Sequence, residues 1–334
     1  MAPPQSVTIN DVAREAGVSV ATVSKVLNQR YGVAVSTAAH VQEVIDRLGY
    51  ESSLVARSLR SHRTHVIGIL VAEFEPFSTE LLKGLSKAIG GSGYELLAYS
   101  GGGRAGGNAG WERRYLSRLS GTLIDGAILV TPTVVDAEYS IPVVAVDPHT
   151  GPSELPTVDS DNLAGAITAT EYLIGLGHER IGFLGGRPDL ESARLREEGY
   201  RKALSAAGLT VNPDLIRVAG YREETADQPA RELLTMTDRP TAIFAANDIS
   251  AIRTVDVARS LGLGVPDDVS VIGFDNVPES ALTSPPLTTI SQPIQQMGYE
   301  AMKLLIDLIN RTEVQSKHRR LPTALVERGS CRAV

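Results

Sequence analysis

From residue 65 onward the chain repeats one pattern, a short and continuously apolar run followed by a stretch of helical spacing. The first run is HVIGILVA (65–72), and others lie at 94–99, 125–130, 143–146, 180–184, 241–245 and 269–273. A run that is apolar and β-branched at nearly every position has no wet face, as in a parallel strand covered by helices on both sides. Between the runs, residues 77–89, 111–119, 162–176, 192–207, 225–234, 250–261 and 294–309 have helical patterns. Strand and helix in regular alternation exclude an all-β chain or a single helical bundle, and predict an α/β layered body with parallel sheet. About 270 residues suffice for one large sheet or for two smaller ones hinged together, and periodicity leaves both open.

Residues 1–62 lack strand-like runs and read as small helices, so a boundary is expected at 62–64. The 334 residues carry 32 Lys and Arg against 39 Asp and Glu. A net charge of −7 argues against a nucleic-acid surface spread over the whole chain. The charge is uneven. Residues 1–63 hold seven basic and five acidic side chains, a balance of +2, which leaves −9 on the rest. A single cysteine, Cys331, cannot form an intramolecular disulfide and fits a reducing compartment. No segment approaches the roughly 18 uninterrupted apolar residues of a membrane span, and MAPPQSVTIN has no signal-peptide pattern. The expectation is a soluble, cytoplasmic protein.

Thr8 to Asp11 has the form of a capping box, with Thr8 as N-cap and Asp11 at the third helical position. Ile9, Val12, Ala13 and Ala16 then make one apolar helical face, and Gly17 supplies the left-handed residue of a tight turn. Ser19 caps a second helix. Val23, Val26 and Leu27 point inward there, while Val20, Ala21, Thr22, Ser24 and Lys25 are left outward. Two helices joined by so short a turn form a helix-turn-helix unit or an ordinary hairpin with a solvated face.

The string TINDVAREAGVSVATVSKVLN (8–28) closely resembles the N-terminal signature of the LacI/GalR family of bacterial transcription regulators. The resemblance runs through a third helix with Val41, Ile45 and Leu48 at core spacing, to LGY (48–50) and VARSLR (55–60). It implies a DNA-binding head over 1–52 and a hinge helix or linker over 53–63. Val20, Ala21 and Lys25 would read bases in the major groove, and Thr8, Ser19, Thr22, Ser24, Asn28 and Tyr50 would hold phosphates. Leu59, with Ala56 and Ser53 on the hinge helix, would enter the minor groove, where wedged side chains kink the duplex. Val20 and Ala21 suit a thymine methyl, and Lys25 can reach guanine O6 and N7. The family commonly has Arg at Lys25, whose fork a point donor cannot reproduce. Ser52 and Ser53 stand where Pro-Asn is usual, Ala34 where a Ser cap is usual and Ala38 where an Arg is usual. Ser36 is then the expected cap for a later start of the third helix.

The resemblance continues through EPFSTEL (75–81), residues 159–186, ARLREEGYRKAL (193–204), AANDISA (245–251), VSVIGFDN (269–276) and LTTISQP (287–293). It implies a periplasmic-binding-protein-like body of two lobes, 64–161 with 292–320 and 162–291 with 321–334, around a ligand cleft. Carried over singly, Phe77 and Ser78 form one wall, with Asp147 and Ser160 nearer the hinge. Ser192, Arg196, Tyr221, Asn247 and Asp275 lie opposite, and Gln292 sits at a crossover. This donor and acceptor set suits a polyol, with Phe77 or Tyr221 covering an apolar sugar face. Arg196 could equally be a solvated member of its charged helix, and Phe77 a core residue. Ser78 replaces a second aromatic that many members have. Trp111 reads as helix packing and His178-Glu179 as a surface turn.

Two other readings compete with this one. Residues 101–106 fit G-x-G-x-x-G with Asp125 some 20 residues on, the outline of a dinucleotide site. A glycine-rich tract meets that pattern by chance, and no P-loop, G-x-S-x-G, H-E-x-x-H or Cys/His metal spacing accompanies it. The other is a transport-type sugar-binding protein, which would carry a signal peptide and no DNA-reading head. The expectation is a non-enzymatic, homodimeric repressor that binds an inverted-repeat operator and needs no cofactor or metal, only a small-molecule effector such as a sugar or oligosaccharide. Lys25→Ala should weaken binding to the operator by about 1 kcal/mol more than to scrambled DNA in fluorescence anisotropy. An equal loss on every sequence would contradict the base-reading role.

Overall fold

The computed structural model describes residues 7–27, 30–50, 63–101, 110–120, 123–133, 139–149 and 155–334. Asn28, Ser53, Ala56, Leu59 and most of the glycine-rich tract therefore lie outside the described residues. The chain divides into two compact units, Met1–Thr64 and His65–Val334.

In the smaller unit, α1 (Ile9–Glu15) opens with the capping box read from the sequence. Thr8 accepts from the Asp11 N–H, and the Asp11 carboxylate accepts from the Thr8 N–H at 2.9 Å. Gly17 takes φ +63 in the turn. The turn leads to α2 (Val20–Leu27), where the Ser19 hydroxyl accepts from the Thr22 N–H at 3.2 Å. In α3 (Val35–Leu48), Gly49 closes the helix in the left-handed conformation. Ser36 is not its cap: the helix starts at Val35, and Ala34 takes the N-cap position with no side-chain bond. An alanine there forgoes the contribution of about 1 kcal/mol that a hydroxyl cap makes. Val12, Val23, Val41, Val44 and Ile45 form the core of this unit.

The larger unit contains two six-stranded sheets, which settles what periodicity left open. The first lobe's strands are β1 (Val66–Val71), β2 (Glu95–Ser100), β3 (Gly126–Val130), β4 (Val143–Val146), β5 (Thr157–Ser160) and β11 (His318–Leu321). They lie in the order β11-β5-β4-β3-β1-β2 and are all parallel. The second lobe's strands are β6 (Ile181–Gly185), β7 (Ile216–Val218), β8 (Ala242–Ala245), β9 (Ser270–Asp275), β10 (Thr288–Ser291) and β12 (Ala324–Val326). Their order is β12-β10-β9-β8-β6-β7, with only β12 antiparallel. The chain passes between sheets after Ser160, after Ser291 and after Leu321.

The central strands β1, β3, β4, β6, β8 and β9 are buried at every position, as their unbroken apolar runs require. Strands β5, β7, β10, β11 and β12 had no such signal, being three or four residues long and polar or only half buried. Helices α4 (Pro76–Ile89), α5 (Trp111–Leu119) and α10 (Ile294–Ile309) belong with the first sheet. The second sheet carries α6 (Asn162–Gly175), α7 (Glu191–Ala206), α8 (Glu223–Leu234) and α9 (Asp248–Ser260). Trp111 is buried and meets Tyr115 edge-on at 5.7 Å.

His178 corrects the surface-turn reading. It is 2% exposed, with Nδ1 at 2.9 Å from the Thr241 hydroxyl and Nε2 at 3.0 Å from that of Ser270. Burial lowers its pKa, so a neutral ring braces the starts of β8 and β9.

Helices α4 and α10 approach too closely for side chains at their crossing. A Cβ on Gly298 would lie 2.3 Å from the Leu81 carbonyl oxygen, and one on Gly84 1.9 Å from that of Gln295. Gly298→Ala should lower stability by about 1–3 kcal/mol, because backbone cannot yield as a side chain can. A calorimetric Tm that stayed level or rose would contradict this.

Candidate functional site

In α2 the exposed side chains are those expected to face DNA. Val20, Ala21 and Lys25 are exposed, while Thr22 and Ser24 are half-buried. Val20 is an apolar side chain held in water at 38% exposure. Hydroxyls of Ser19 and Thr22 lie 3.0 Å apart, and that of Thr8 donates to Asp11 at 2.7 Å. Tyr50 is half-buried and packs against the head's core. Arg14 pairs with Asp11, and Arg47 with Glu15 at 3.0 Å, which leaves little net charge on that surface.

The body's site arises where both sheets present the C-terminal ends of parallel strands, the position that open α/β sheets use for ligands. Asp275 ends β9 and Ser160 ends β5. Asp147 follows β4, and Asn247 caps α9 by accepting from the Ser250 N–H at 3.0 Å. Arg196 and Ser192 project from α7, and Gln292 lies in the second crossover. Asp147, Tyr221, Asp275 and Asn276 have φ of +47, +67, +120 and +60. Four non-glycine residues in such conformations, gathered at one place, are strain that a structure retains at functional sites.

Hydrogen bonds join these residues across the lobes. Gln292 Nε2 donates to Asp275 Oδ1 at 2.6 Å, and Gln292 Oε1 accepts from the Ser160 hydroxyl. Arg196 is 3% exposed, so its solvated reading fails. Its Nε donates to Asn162 Oδ1 at 2.9 Å, while Nη1 reaches the Ala246 carbonyl and, at 3.4 Å, Asp275 Oδ1. The guanidinium lies 3.8 Å from the Phe274 ring centre and 5.5 Å from that of Tyr221. Ser192 and Asn162 hydrogen-bond Asp147. Asn247 Nδ2 donates to the Tyr221 carbonyl at 3.3 Å. Beside the cluster is a cavity of about 400 Å³, bounded in part by Asp147, Asn162, Ser192, His318 and Arg320, within the size range of small-molecule sites.

Phe77 and Ser78 stand apart from this network. Phe77 is half-buried and packs on the first lobe's core, and the Ser78 hydroxyl donates to Glu75, the N-cap of α4. Asn162, Phe274 and Glu75 were not anticipated. The sequence signal for Asn162 was the polar DSDN stretch entering a helix. Phe274 lies within an apolar strand run and Glu75 is the N-cap of α4, so neither has a sequence signal that separates it from an ordinary core or cap residue.

Burial dominates the electrostatics. It raises Asp275 to about 7 against the pull of Arg196 and Gln292, and raises Asp147 as well. The Tyr221 phenol is pushed up to about 12. Glu75 keeps exposed surface, yet its carboxyl, turned back onto the helix it caps, is also raised by lost water. Across the lobes, Arg222 meets Glu73 at 2.6 Å and His149 meets Asp189 at 3.2 Å. Burial lowers His149 to about 4, so that contact is a neutral imidazole's. Among the described residues no group of three or more His, Cys, Asp or Glu is placed to hold a metal ion, and no helix is long and apolar enough to cross a membrane.

A helix-turn-helix head and a two-lobed α/β body with a polar interlobe site define the class of ligand-binding transcription regulators. Residues 8–53 match the model of bacterial regulatory proteins of the lacI family, and residues 170–331 that of the periplasmic binding protein-like domain. The HTH-type transcriptional repressor PurR of Photobacterium profundum is 38% identical over 314 residues, covering 90% of this chain and 92% of its own. The ribose operon repressor of Escherichia coli (strain K12) is 37% identical over 334 residues, covering 97% of this chain and 99% of its own. The crystal structure of the lac repressor dimer bound to operator and the anti-inducer ONPF matches at 25% identity with a TM-score of 0.84, covering 98% of this chain and 100% of that one. The chain belongs to the LacI family of bacterial regulatory proteins.

The raised carboxyl of Asp275 makes stability depend on pH. Its folded-state pKa of about 7 exceeds the ordinary 3.8, so its contribution is complete below about 4 and is lost as pH rises through about 7. Asp275→Asn should therefore gain Tm relative to the unsubstituted protein as pH goes from about 4 to about 7. A Tm difference that is constant over that range in scanning calorimetry would contradict it.

Proposed function

We propose that this protein is a cytoplasmic repressor whose dimer places two heads on the half-sites of an inverted-repeat operator, and whose operator affinity is set by a sugar in the interlobe cleft. The observation that carries the reading is the meeting of Arg196, Asp275, Gln292, Ser160 and Asp147 at the crossovers. A ligand that bonds these groups bonds both lobes, so it favours one lobe arrangement over another. The moving bodies are 64–161 with 292–321 and 162–291 with 322–334, one residue later than the expected boundary at 320 because Leu321 ends β11 of the first sheet, and residues 53–63 carry the change to the heads. Ser192, Tyr221 and Asn247 complete the ligand's surroundings, with Phe77 and Ser78 on the first lobe's wall.

A sugar suits the mixture of fork donor, paired acceptors and amide, because each hydroxyl both donates and accepts. The name of the ribose operon repressor points the same way. Catalysis has no part in this reading. Coupling is reciprocal: if effector changes operator affinity by a factor, typically about 5–150, operator changes effector affinity by the same factor.

Arg196→Ala should cut the effector's influence on operator affinity by about tenfold or more, since a bidentate, charge-assisted donor is lost. Arg196→Lys keeps the charge without the fork and should fall between the two. Calorimetric titration of a sugar hit, followed by operator binding with and without it, makes the measurement. A full response in Arg196→Ala would overturn the assignment.

A further inference from the structure

Helix α7 carries two residues of the site, Ser192 and Arg196, but has no cap of its own. Leu190 holds its N-cap position and makes no side-chain bond, whereas the first N–H groups of a helix need acceptors from outside it. The first of them finds its acceptor in the other lobe: the Glu191 N–H donates to the His149 carbonyl at 3.0 Å. The His149 N–H donates in turn to the Pro132 carbonyl at 3.1 Å, which ties the loop after β4 to the loop after β3.

The His149 ring makes a second tie to the same part of the second lobe. The residue is 5% exposed, and Nδ1 stands 3.2 Å from Asp189 Oδ2. Arg187 donates to both oxygens of Asp189, at 3.1 and 2.6 Å, so Asp189 is held from its own loop. Neither tie lies on a crossover between the sheets. Another interlobe contact away from the crossovers, Glu73 with Arg222, joins two exposed side chains, and such pairs contribute little. His149 follows Asp147 by two residues and Glu191 precedes Ser192 by one, while Ser192 hydrogen-bonds Asp147. The two ties thus join the loops that present these ligand residues from opposite lobes.

Resting on the reading above that the interlobe cleft holds the effector, we infer that His149 is a positioning residue for it: its carbonyl caps α7 from the opposite lobe, its ring latches Asp189, and together they set Ser192 against Asp147. Separation of the lobes uncaps α7, so the start of that helix loosens as the latch opens. The order of the ligand residues and the arrangement of the lobes are then one equilibrium, and an effector that bonds Ser192 or Arg196 acts on both.

The test uses the full chain without effector. Nitroxide labels on Lys87→Cys in α4 and Lys202→Cys in α7, both exposed positions, report the interlobe distance by pulsed electron paramagnetic resonance, with labelled chain diluted into unlabelled. Burial pushes the Cys331 thiol up to about 12, which keeps it from labelling. Hydrogen exchange at the Glu191 amide reports the cap. His149→Leu keeps bulk without a donor, His149→Asn keeps a donor near the Nδ1 position, and Asp189→Ala removes the acceptor. His149→Leu and Asp189→Ala should each raise exchange at Glu191 about fivefold or more, the scale of one hydrogen bond, and populate a second interlobe distance. The double variant should go no further than either alone, and His149→Asn should stay near the unsubstituted protein. Unchanged distances, additive effects in the double variant, or an Asn variant that behaves like Leu would each overturn the latch. Should His149→Leu fail to fold, Asp189→Ala decides, since Asp189 is exposed. Affinity for a duplex that the unsubstituted chain selects from a random pool separates this inference from the reading it rests on. A changed distance with unchanged duplex affinity would keep the latch and sink the proposed coupling, whereas unchanged distances sink the latch and leave that coupling standing.

Discussion

The hydrogen bond from Gln292 to Asp275, 2.6 Å long, is the joint on which the body depends. Asp275 ends the central strand β9, and Gln292 begins the crossover that leaves the second lobe after β10. Gln292 also accepts from Ser160, the last residue of β5, where the first crossover departs. Two of the three passages between lobes are thus tied through one side chain. The main chain repeats the tie, since the Gln292 N–H donates to the Asp275 carbonyl at 3.2 Å. Any rotation of one lobe against the other must bend or break these bonds, so a ligand that bonds Asp275 acts on the lobes' relative position.

Around this joint the molecule divides into parts that resist change and parts that permit it. The first lobe's core is closed by α4 and α10, which approach backbone to backbone at Gly84 and Gly298. The cleft is the opposite case. It concentrates positive φ values and carboxyls that burial raises. Unfavourable features of this kind persist only where a rigid scaffold imposes them, and here parallel strands buried at every position do so.

Much of this was legible in the sequence, for identifiable reasons. Central strands read as unbroken apolar runs because burial on both faces leaves no position for a polar side chain. The head was legible in Thr8, Asp11, Gly17 and Ser19, since capping and turning are local chemistry. Arg196 and Asp275 were placed by resemblance; spacing alone allowed Arg196 to be a solvated helix residue. Asn162, Phe274 and Glu75 were missed because each has an ordinary local explanation, and its second partner lies far along the chain. His178 was misread for the same reason: its partners Thr241 and Ser270 are 63 and 92 residues away. Short strands such as β5, β10 and β11 have no signature of their own, because neighbours and not burial on both faces define them.

The amino-acid sequence by itself determined the local units: the capped helices of the head, the apolar strands of the body, and an acidic body of −9 attached to a head of +2. These follow from propensity, periodicity and composition, which act over a few residues. Only the tertiary structure decided that the body has two sheets and not one, and that a guanidinium from α7 meets carboxylates from β9 and from the loop after β4. It also decided that burial raises those carboxyls above their ordinary range. Such properties depend on which distant residues share a dehydrated space, where a charge left unbalanced is far more costly than in water.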